Sequence, residues 1–345
     1  MFTFIYSLMT DKRTGAAYLP FKAVLYIFSI VYGLAIIVRS IFYRFGIFRS
    51  EKVPIKIISV GNLTLGGTGK TPFVIALSRI LNDRLRRQTC VLIRGYGWDE
   101  QEMLKKSMPD IPILVGENRS RHAHRAIKLY GSDTAVLDDG FQNWELERDL
   151  DIVLIDSRNP FGNGHLFPRG IMREPFLSIK RADVVVFTKV DRKVFDLDGL
   201  RKRIRHIKES MIFVEVFHRP RSVYDVKLRK ELGLSAVSGK RVILLSSIGD
   251  PAYFEQTVKS LGANCLEHIV FDDHHNYDTS DMKRIIKRCD ERSFDMILTT
   301  EKDAVKLRRM SIVFGKYSLM VLCIEMEFKN GKEMLIDRLH SLYTR

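Results

Sequence analysis

With 345 residues, 46% of them hydrophobic, the chain can bury a sizeable core and is longer than one average domain requires. Its 56 basic against 41 acidic side chains leave a net charge of +15, which favours an anionic partner such as nucleic acid, a membrane surface or a phosphorylated substrate without choosing among them. The four cysteines, Cys90, Cys265, Cys289 and Cys323, contain no CxxC pair and no zinc-finger spacing, so they read as reduced thiols of a cytosolic domain rather than disulfides or metal ligands.

The first predicted element is apolar. Phe21–Phe45 reads FKAVLYIFSIVYGLAIIVRSIFYRF, and residues 23–38 carry no charge. That length suits a membrane-spanning helix with Lys22 and Arg39 snorkelling, an interfacial helix, or a buried one. No small-residue cleavage site follows, which argues against a signal peptide. Arg39, Arg44, Arg49 and Lys52 place the rest of the chain on the cytosolic side by the positive-inside rule.

Beyond residue 50, short apolar runs alternate with amphipathic stretches. Ile55–Val60, Cys90–Ile93, Thr134–Leu137, Ile152–Ile155 and Val184–Phe187 are predicted strands of a parallel sheet covered on both faces. Pro72–Leu81 and Arg119–Tyr130 are predicted crossover helices. The alternation implies an α/β fold with a doubly wound, mainly parallel sheet. The polar, basic stretch near Leu200–Lys240 reads as a junction, with Ile212–Phe217 and Ser222–Val226 as an exposed two-stranded connection. A second, smaller α/β unit follows, with strands at Val242–Leu245, Leu266–Phe271, Met296–Leu298 and Leu319–Ile324 and helices near Pro251–Leu261 and Ser280–Cys289. The expected division is 1–50 as a membrane-associated helix, 51–210 as a nucleotide-binding domain, 211–239 as a linker and 240–345 as the C-terminal domain.

The strongest local signal is VGNLTLGGTGKTP, Val60–Pro72, between a predicted strand and a predicted helix. That context is the one a phosphate-binding P-loop requires. Gly66, Gly67 and Gly69 let backbone N–H groups turn around phosphate oxygens, with Thr64, Leu65 and Thr68 completing the loop. Lys70 then reaches the β- and γ-phosphates and Thr71 offers its hydroxyl to Mg²⁺. The usual pattern begins with glycine where this chain has Thr64. Leu137-Asp138-Asp139-Gly140 ends another strand, where an aspartate of a P-loop enzyme holds Mg²⁺ directly or through water.

Four further clusters are less decisive. Arg94-Gly95-Tyr96-Gly97-Trp98-Asp99-Glu100 implies a tight loop, with Asp99 or Glu100 either a general base or merely solvated. In the glycine-rich loop from Phe161, Arg169 and Arg173 either clamp a phosphate or join the basic surface. Asp272-Asp273-His274-His275 resembles a metal site in composition, but adjacent histidines diverge, and an Asp–His contact tuning a catalytic group is the better reading. Thr188-Lys189-Val190-Asp191 matches the base-reading motif of GTPases over four residues only.

Taken in order, GNLTLGGTGKTP (Gly61–Pro72), RGYG (Arg94–Gly97), DDGFQ (Asp138–Gln142), FGNG (Phe161–Gly164), MREP (Met172–Pro175), DHH (Asp273–His275) and TEKDAVKL (Thr300–Leu307) resemble the tetraacyldisaccharide 4'-kinase family of lipid A biosynthesis. Thr64 in place of the first glycine is also that family's pattern. The resemblance implies a kinase that moves the γ-phosphate of ATP to the 4'-hydroxyl of tetraacyldisaccharide 1-phosphate at the cytosolic face of the bacterial inner membrane. It further implies that 64–71 binds ATP, that Thr71, Asp138, Asp139 and Glu174 serve the Mg²⁺ site, and that Asp99 is the base, paired with His274. The family's G-D-E-P segment is reduced here to Trp98-Asp99-Glu100-Gln101, and Asn143 stands where the family commonly has histidine.

The partners implied are the lipid disaccharide and the inner membrane surface, with neither nucleic acid nor an obligate protein partner. The rival reading is a membrane-associated regulatory ATPase of the ParA/MinD kind, which shares GGTGKT but carries lysine where this chain has Leu65. A GTPase resting on Thr188–Asp191 and a nucleic-acid-binding protein resting on charge are further rivals.

Overall fold

The fold is described from a computed structural model, over residues 2–95, 98–192, 196–308 and 317–344. Two helices come first, α1 (Phe2–Met9) and α2 (Leu19–Arg44). Then follow β1 (Lys56–Asn62), α3 (Lys70–Arg79), β2 (Thr89–Ile93), α4 (Trp98–Ser107), β3 (Ile113–Val115), α5 (Arg119–Tyr130), β4 (Thr134–Asp138), β5 (Leu150–Asp156), β6 (Val184–Thr188) and α6 (Leu197–Ile207). The remainder is β7 (Ile212–Asp225), β8 (Lys230–Leu232), β9 (Arg241–Ser246), α7 (Pro251–Ser260), β10 (Asn264–Val270), α8 (Thr279–Asp290), β11 (Met296–Thr300), α9 (Glu301–Leu307), β12 (Leu319–Asn330) and α10 (Lys332–His340). The chain divides into two compact units. The first is Met1–Arg94, Asp110–Phe217 and Phe328–Arg345, and the second is Gly95–Pro109 and His218–Glu327.

In the first unit the strand order is β7-β6-β5-β1-β4-β2-β3, every pairing parallel. Helices cover both faces, so the strands read as continuous apolar runs: Ile58, Val60, Leu92, Val136, Val153 and Val186 are all fully buried. The chain winds one way from β1 to β4 and then crosses β1 to reach β5. That reversal opens a crevice at the C-terminal ends of β1 and β4, where ligands of such sheets bind.

Helix α2 belongs to the same unit and packs on it by one narrow stripe. Ser29 donates to the Leu166 carbonyl at 2.8 Å and accepts from the Arg169 N–H at 2.8 Å, while a Cβ at Gly33 would stand 2.9 Å from the Leu166 side chain. Around the rest of its circumference Ile27, Phe28, Val31, Leu34, Val38 and Ile41 are exposed. Residues 16–44 have a mean hydropathy of 2.2 in their most apolar window, long and apolar enough to cross a membrane. An apolar surface of this extent needs a cover other than water.

The second unit holds a smaller parallel sheet in which β9 lies between β10 and β11, and β11 pairs with β12. Alternate residues feed two cores: Ile243, Leu245 and Ile297 pack with Ile285 of α8, and Val242, Leu244 and Leu298 with Phe254 and Val258 of α7.

Two sequence expectations are corrected. Residues 212–217 and 222–226 do not form an exposed two-stranded connection; 212–217 and 222–225 lie in the single strand β7, whose antiparallel partner is β8, and Val226 begins the turn after it. Burial is the reason, since Val214, Val216 and Val223 are fully enclosed. Asp99 and Glu100 are not in a loop but in the first turn of α4, where acidic side chains suit the helix dipole. Tyr96 and Gly97 of the RGYG segment lie outside the described residues. All four cysteines are free, two of them buried.

Candidate active site

The phosphate loop stands between β1 and α3. Gly69, the residue before α3, has φ 83°, a left-handed conformation that a side chain would strain. Thr64 does not: it forms an antiparallel bridge with Met172, is 4% exposed, and has none of the positive φ that calls for glycine. The bridge is reinforced by Leu65 N–H to the Ile171 carbonyl and Arg173 N–H to the Leu63 carbonyl, both 2.7 Å. The departure from the usual loop thus has a physical reason, for the loop's first residue is extended and paired with the MREP segment. Within the loop the Asn62 amide donates to the Thr68 hydroxyl at 3.0 Å. Gly61 is required by contact: a Cβ there would meet the Phe141 backbone N at 2.8 Å.

Strand register brings the acidic pair to the loop. Val60 is the partner of Asp138 across the β1–β4 ladder. Asp139 follows with φ 53° and lies 3.5 Å from the Lys70 ammonium and 2.7 Å from the Arg173 guanidinium. Burial would raise the Asp139 carboxyl, but Lys70 and Arg173 outweigh it and hold it below its ordinary value. Arg119, at the start of α5, donates to the Asp138 carbonyl at 3.3 Å and braces that turn. Thr71 stands half-buried in the first turn of α3.

Glu174 is nearly enclosed, 2% exposed. Its two oxygens accept from Arg181 at 2.9 and 3.0 Å, and one also accepts from Gln142 at 3.0 Å. Arg181 is itself held between the rings of Phe141 and Trp144, 4.2 Å from each centroid. Gln142 donates as well to the Asn62 carbonyl at 3.0 Å, tying Glu174 to the base of the loop.

These groups fit ATP and Mg²⁺ by their chemistry. A hydroxyl and two aspartates are hard oxygen donors beside a lysine and a helix N-terminus. Among the described residues no three His, Cys, Asp or Glu side chains gather as a metal cage. Magnesium in kinases uses one or two carboxylates plus phosphate oxygens, so a sparse set is the appropriate one.

In the second unit, Asp99 is 3% exposed. His274 Nδ1 stands 3.7 Å from its Oδ2, and the Lys306 ammonium 3.2 Å from the same oxygen, both contacts in ion-pair rather than hydrogen-bond geometry. Lys302 lies 3.2 Å from His274 Nε2 and 3.1 Å from Asp273. The Asp99 carboxyl, which burial alone would raise, is held well below the usual carboxylate range by His274, Lys306 and Lys302. The His274 imidazole is raised, first by Asp99, against burial and Lys302. His275 turns away to Asp281 at 2.6 Å, as expected of adjacent histidines.

The remaining motifs have other partners. Arg169 pairs with Asp11 at 3.0 Å, and Asn163 of FGNG donates to Asp11 at 2.8 Å, so this loop fastens the N-terminal segment. Lys189 is 1% exposed with its amine on Asp156 at 2.5 Å, an internal ion pair in place of a base-reading lysine. Sequence reasoning missed Arg181, Gln142, Lys302 and Lys306. The lysines form an i, i+4 pair inside TEKDAVKL and Gln142 closes DDGFQ, whereas Arg181 left no signal.

Comparison with known proteins gives the family. The family described as tetraacyldisaccharide-1-P 4'-kinase matches residues 21–342. The chain is 37% identical over 346 residues to the tetraacyldisaccharide 4'-kinase of Syntrophus aciditrophicus, covering 91% of each. It is 32% identical to that of Halothermothrix orenii, covering 93% of this chain and 94% of the relative. The crystal structure of LpxK from Aquifex aeolicus in complex with ATP superposes with a TM-score of 0.74 at 26% identity, over 94% of this chain and all of that one. With a parallel sheet that carries a phosphate loop beside paired aspartates, and with relatives of this identity and coverage, the chain belongs to the tetraacyldisaccharide-1-P 4'-kinase family.

Proposed function

We propose that this chain performs the ATP-dependent phosphorylation of tetraacyldisaccharide 1-phosphate at its 4'-hydroxyl, giving lipid IV-A, with the following division of labour among its residues. Residues 64–71 hold ATP, the loop amides and Lys70 neutralising the β- and γ-phosphates. Thr71, Asp138 and Asp139 hold Mg²⁺, and Glu174, fixed by Arg181 and Gln142, supports that set and keeps lone pairs for a further contact. Bound Mg²⁺ supplies charge neutralisation at the transferring phosphate. Arg173, already on Asp139, keeps that carboxylate ionised and oriented. Asp99 accepts the proton of the attacking 4'-hydroxyl, with His274 beside it.

Transfer of this kind passes through a loose transition state, so positioning and charge matter more than base strength. A carboxylate held below its ordinary value therefore suits this role, because it is always ionised and the proton moves late. The N-terminal helix supports a location at the cytosolic face of the inner membrane, where its exposed apolar surface and the basic residues that follow suit an acylated, phosphorylated substrate.

The observation that carries this reading is the Lys70–Asp139 contact at 3.5 Å beside Asp138, at the C-terminal edge of β1 and β4. The test is incubation of the purified protein with γ-labelled ATP and the lipid disaccharide monophosphate. A new labelled phosphate monoester on the non-reducing sugar is expected. Release of inorganic phosphate alone would favour a regulatory ATPase instead.

A further inference from the structure

Helix α9 carries two lysines four residues apart, Lys302 and Lys306, which therefore lie on one face. Helix α4, which carries Asp99, packs on α9. Lys306 is 3% exposed at its side chain and Asp99 5%. Burying such a pair carries a desolvation cost that apolar packing would avoid altogether. The Lys306 ammonium is moreover fixed from a second side. It donates to the Ser247 hydroxyl at 3.1 Å, and Ser247 donates through both its hydroxyl and its backbone N–H to Asp303. Asp303 is fully buried and also receives the Tyr277 hydroxyl at 3.1 Å and the Thr300 hydroxyl at 2.7 Å. A chain of donors thus aims one cation at one oxygen of Asp99.

We infer that Lys306 is a positioning residue for the proton acceptor: with His274 it occupies Asp99 Oδ2 and leaves Oδ1 to receive the hydroxyl proton, while Lys302 plays the lesser part of fixing His274. This deepens the reading of Asp99 as the base and rests on it. The charged groups facing Asp99 are Lys306 and Lys302 from α9 and His274 from the segment after β10, while Asp273 and Glu100 contact His274 and Lys302 behind them. Asp303, on α9, is turned to its own donors, Ser247, Tyr277 and Thr300. Two lysines among these hold the carboxylate ionised far into acid. Without Lys306 the carboxyl regains a proton at higher pH, and turnover is lost there.

The experiment is the pH profile of kcat/KM for transfer from ATP to tetraacyldisaccharide 1-phosphate in mixed micelles, for the full chain and for Lys306→Met, Lys306→Arg and Lys302→Met. The acid limb of Lys306→Met is expected about one to three pH units above that of the parent, the range an opposite charge at this distance commands. Lys306→Arg should keep the parent limb, and Lys302→Met should move it the same way by less. A lower rate with an unmoved limb in both methionine variants would mean a merely structural role and overturn the inference, as would an arginine variant shifted like the methionine one. Lys302 is the more exposed cation, so its variant carries the test should Lys306→Met fail to fold. Full turnover in Asp99→Asn would instead overturn the base assignment, and this inference with it.

Discussion

Tyr32, on α2, donates its hydroxyl hydrogen bond to the backbone carbonyl of Arg173 at 3.0 Å. Arg173 in turn holds Asp139, and Asp139 faces Lys70. The apolar N-terminal helix is therefore joined to the phosphate loop by three consecutive contacts within one unit. Tyr32→Phe removes the first of them at a cost of about 1 kcal/mol. We expect kcat/KM to fall about fivefold, with vesicle sedimentation unchanged. Sedimentation that falls in parallel would show that the contact serves attachment alone.

Lys70→Ala addresses the loop itself. The ammonium lies half-buried against Asp139 and is the group aimed at the β- and γ-phosphates in the proposed reaction. Loss of one preorganised donor of this kind lowers kcat by about 10²–10³-fold. The melting temperature should stay within a few degrees of the parent, because Asp139 retains Arg173. A variant that keeps more than a tenth of the parent kcat would remove Lys70 from the transfer step.

Arg181→Met separates stability from chemistry at Glu174. The substitution leaves a carboxylate that is 2% exposed with Gln142 as its remaining hydrogen-bond partner among the described residues. Breaking a buried pair from one side costs about 3–5 kcal/mol. Urea denaturation should show that loss, and the double variant Arg181→Met with Glu174→Gln should recover part of it. Equal stability of the single and double variants would contradict the pairing.

Much of this was legible because the first unit's strands are buried on both faces and so print themselves as apolar runs. Arg119–Tyr130 coincides with α5, and the loop glycines Gly66 and Gly69 fall where φ is positive. The illegible parts are long-range. Nothing near Glu174 in sequence announces that Arg181, itself held between Phe141 and Trp144, would pair with it, and nothing near Asp99 announces Lys306. Helix α4 was hidden because two glycines precede it and its face is largely charged, so turn chemistry outweighed a weak periodicity. Thr64 shows the reverse case: the apparent defect in the motif becomes intelligible once its bridge to Met172 is seen.

Asp11 gives the attachment of the N-terminal segment a pH dependence. Burial alone would raise its carboxyl from the ordinary 3.8, but hydrogen bonds from Lys22, Asn163 and Arg169 outweigh burial and hold it at about 2. Because the folded value is the lower one, the contribution to stability is complete above about pH 4 and is lost as pH falls through about 2. Amide exchange in residues 162–170, labelled at a series of pH values, should therefore accelerate between about pH 4 and 2 in the parent. Asp11→Asn should exchange faster already at neutral pH and show a smaller change across that window, since it has no carboxyl to protonate. The partly exposed position of Asp11 keeps the effect local, so the melting temperature at pH 7 should fall by only a few degrees. An identical acid response in both proteins would assign the release to another carboxylate and dissociate Asp11 from the docking of α2.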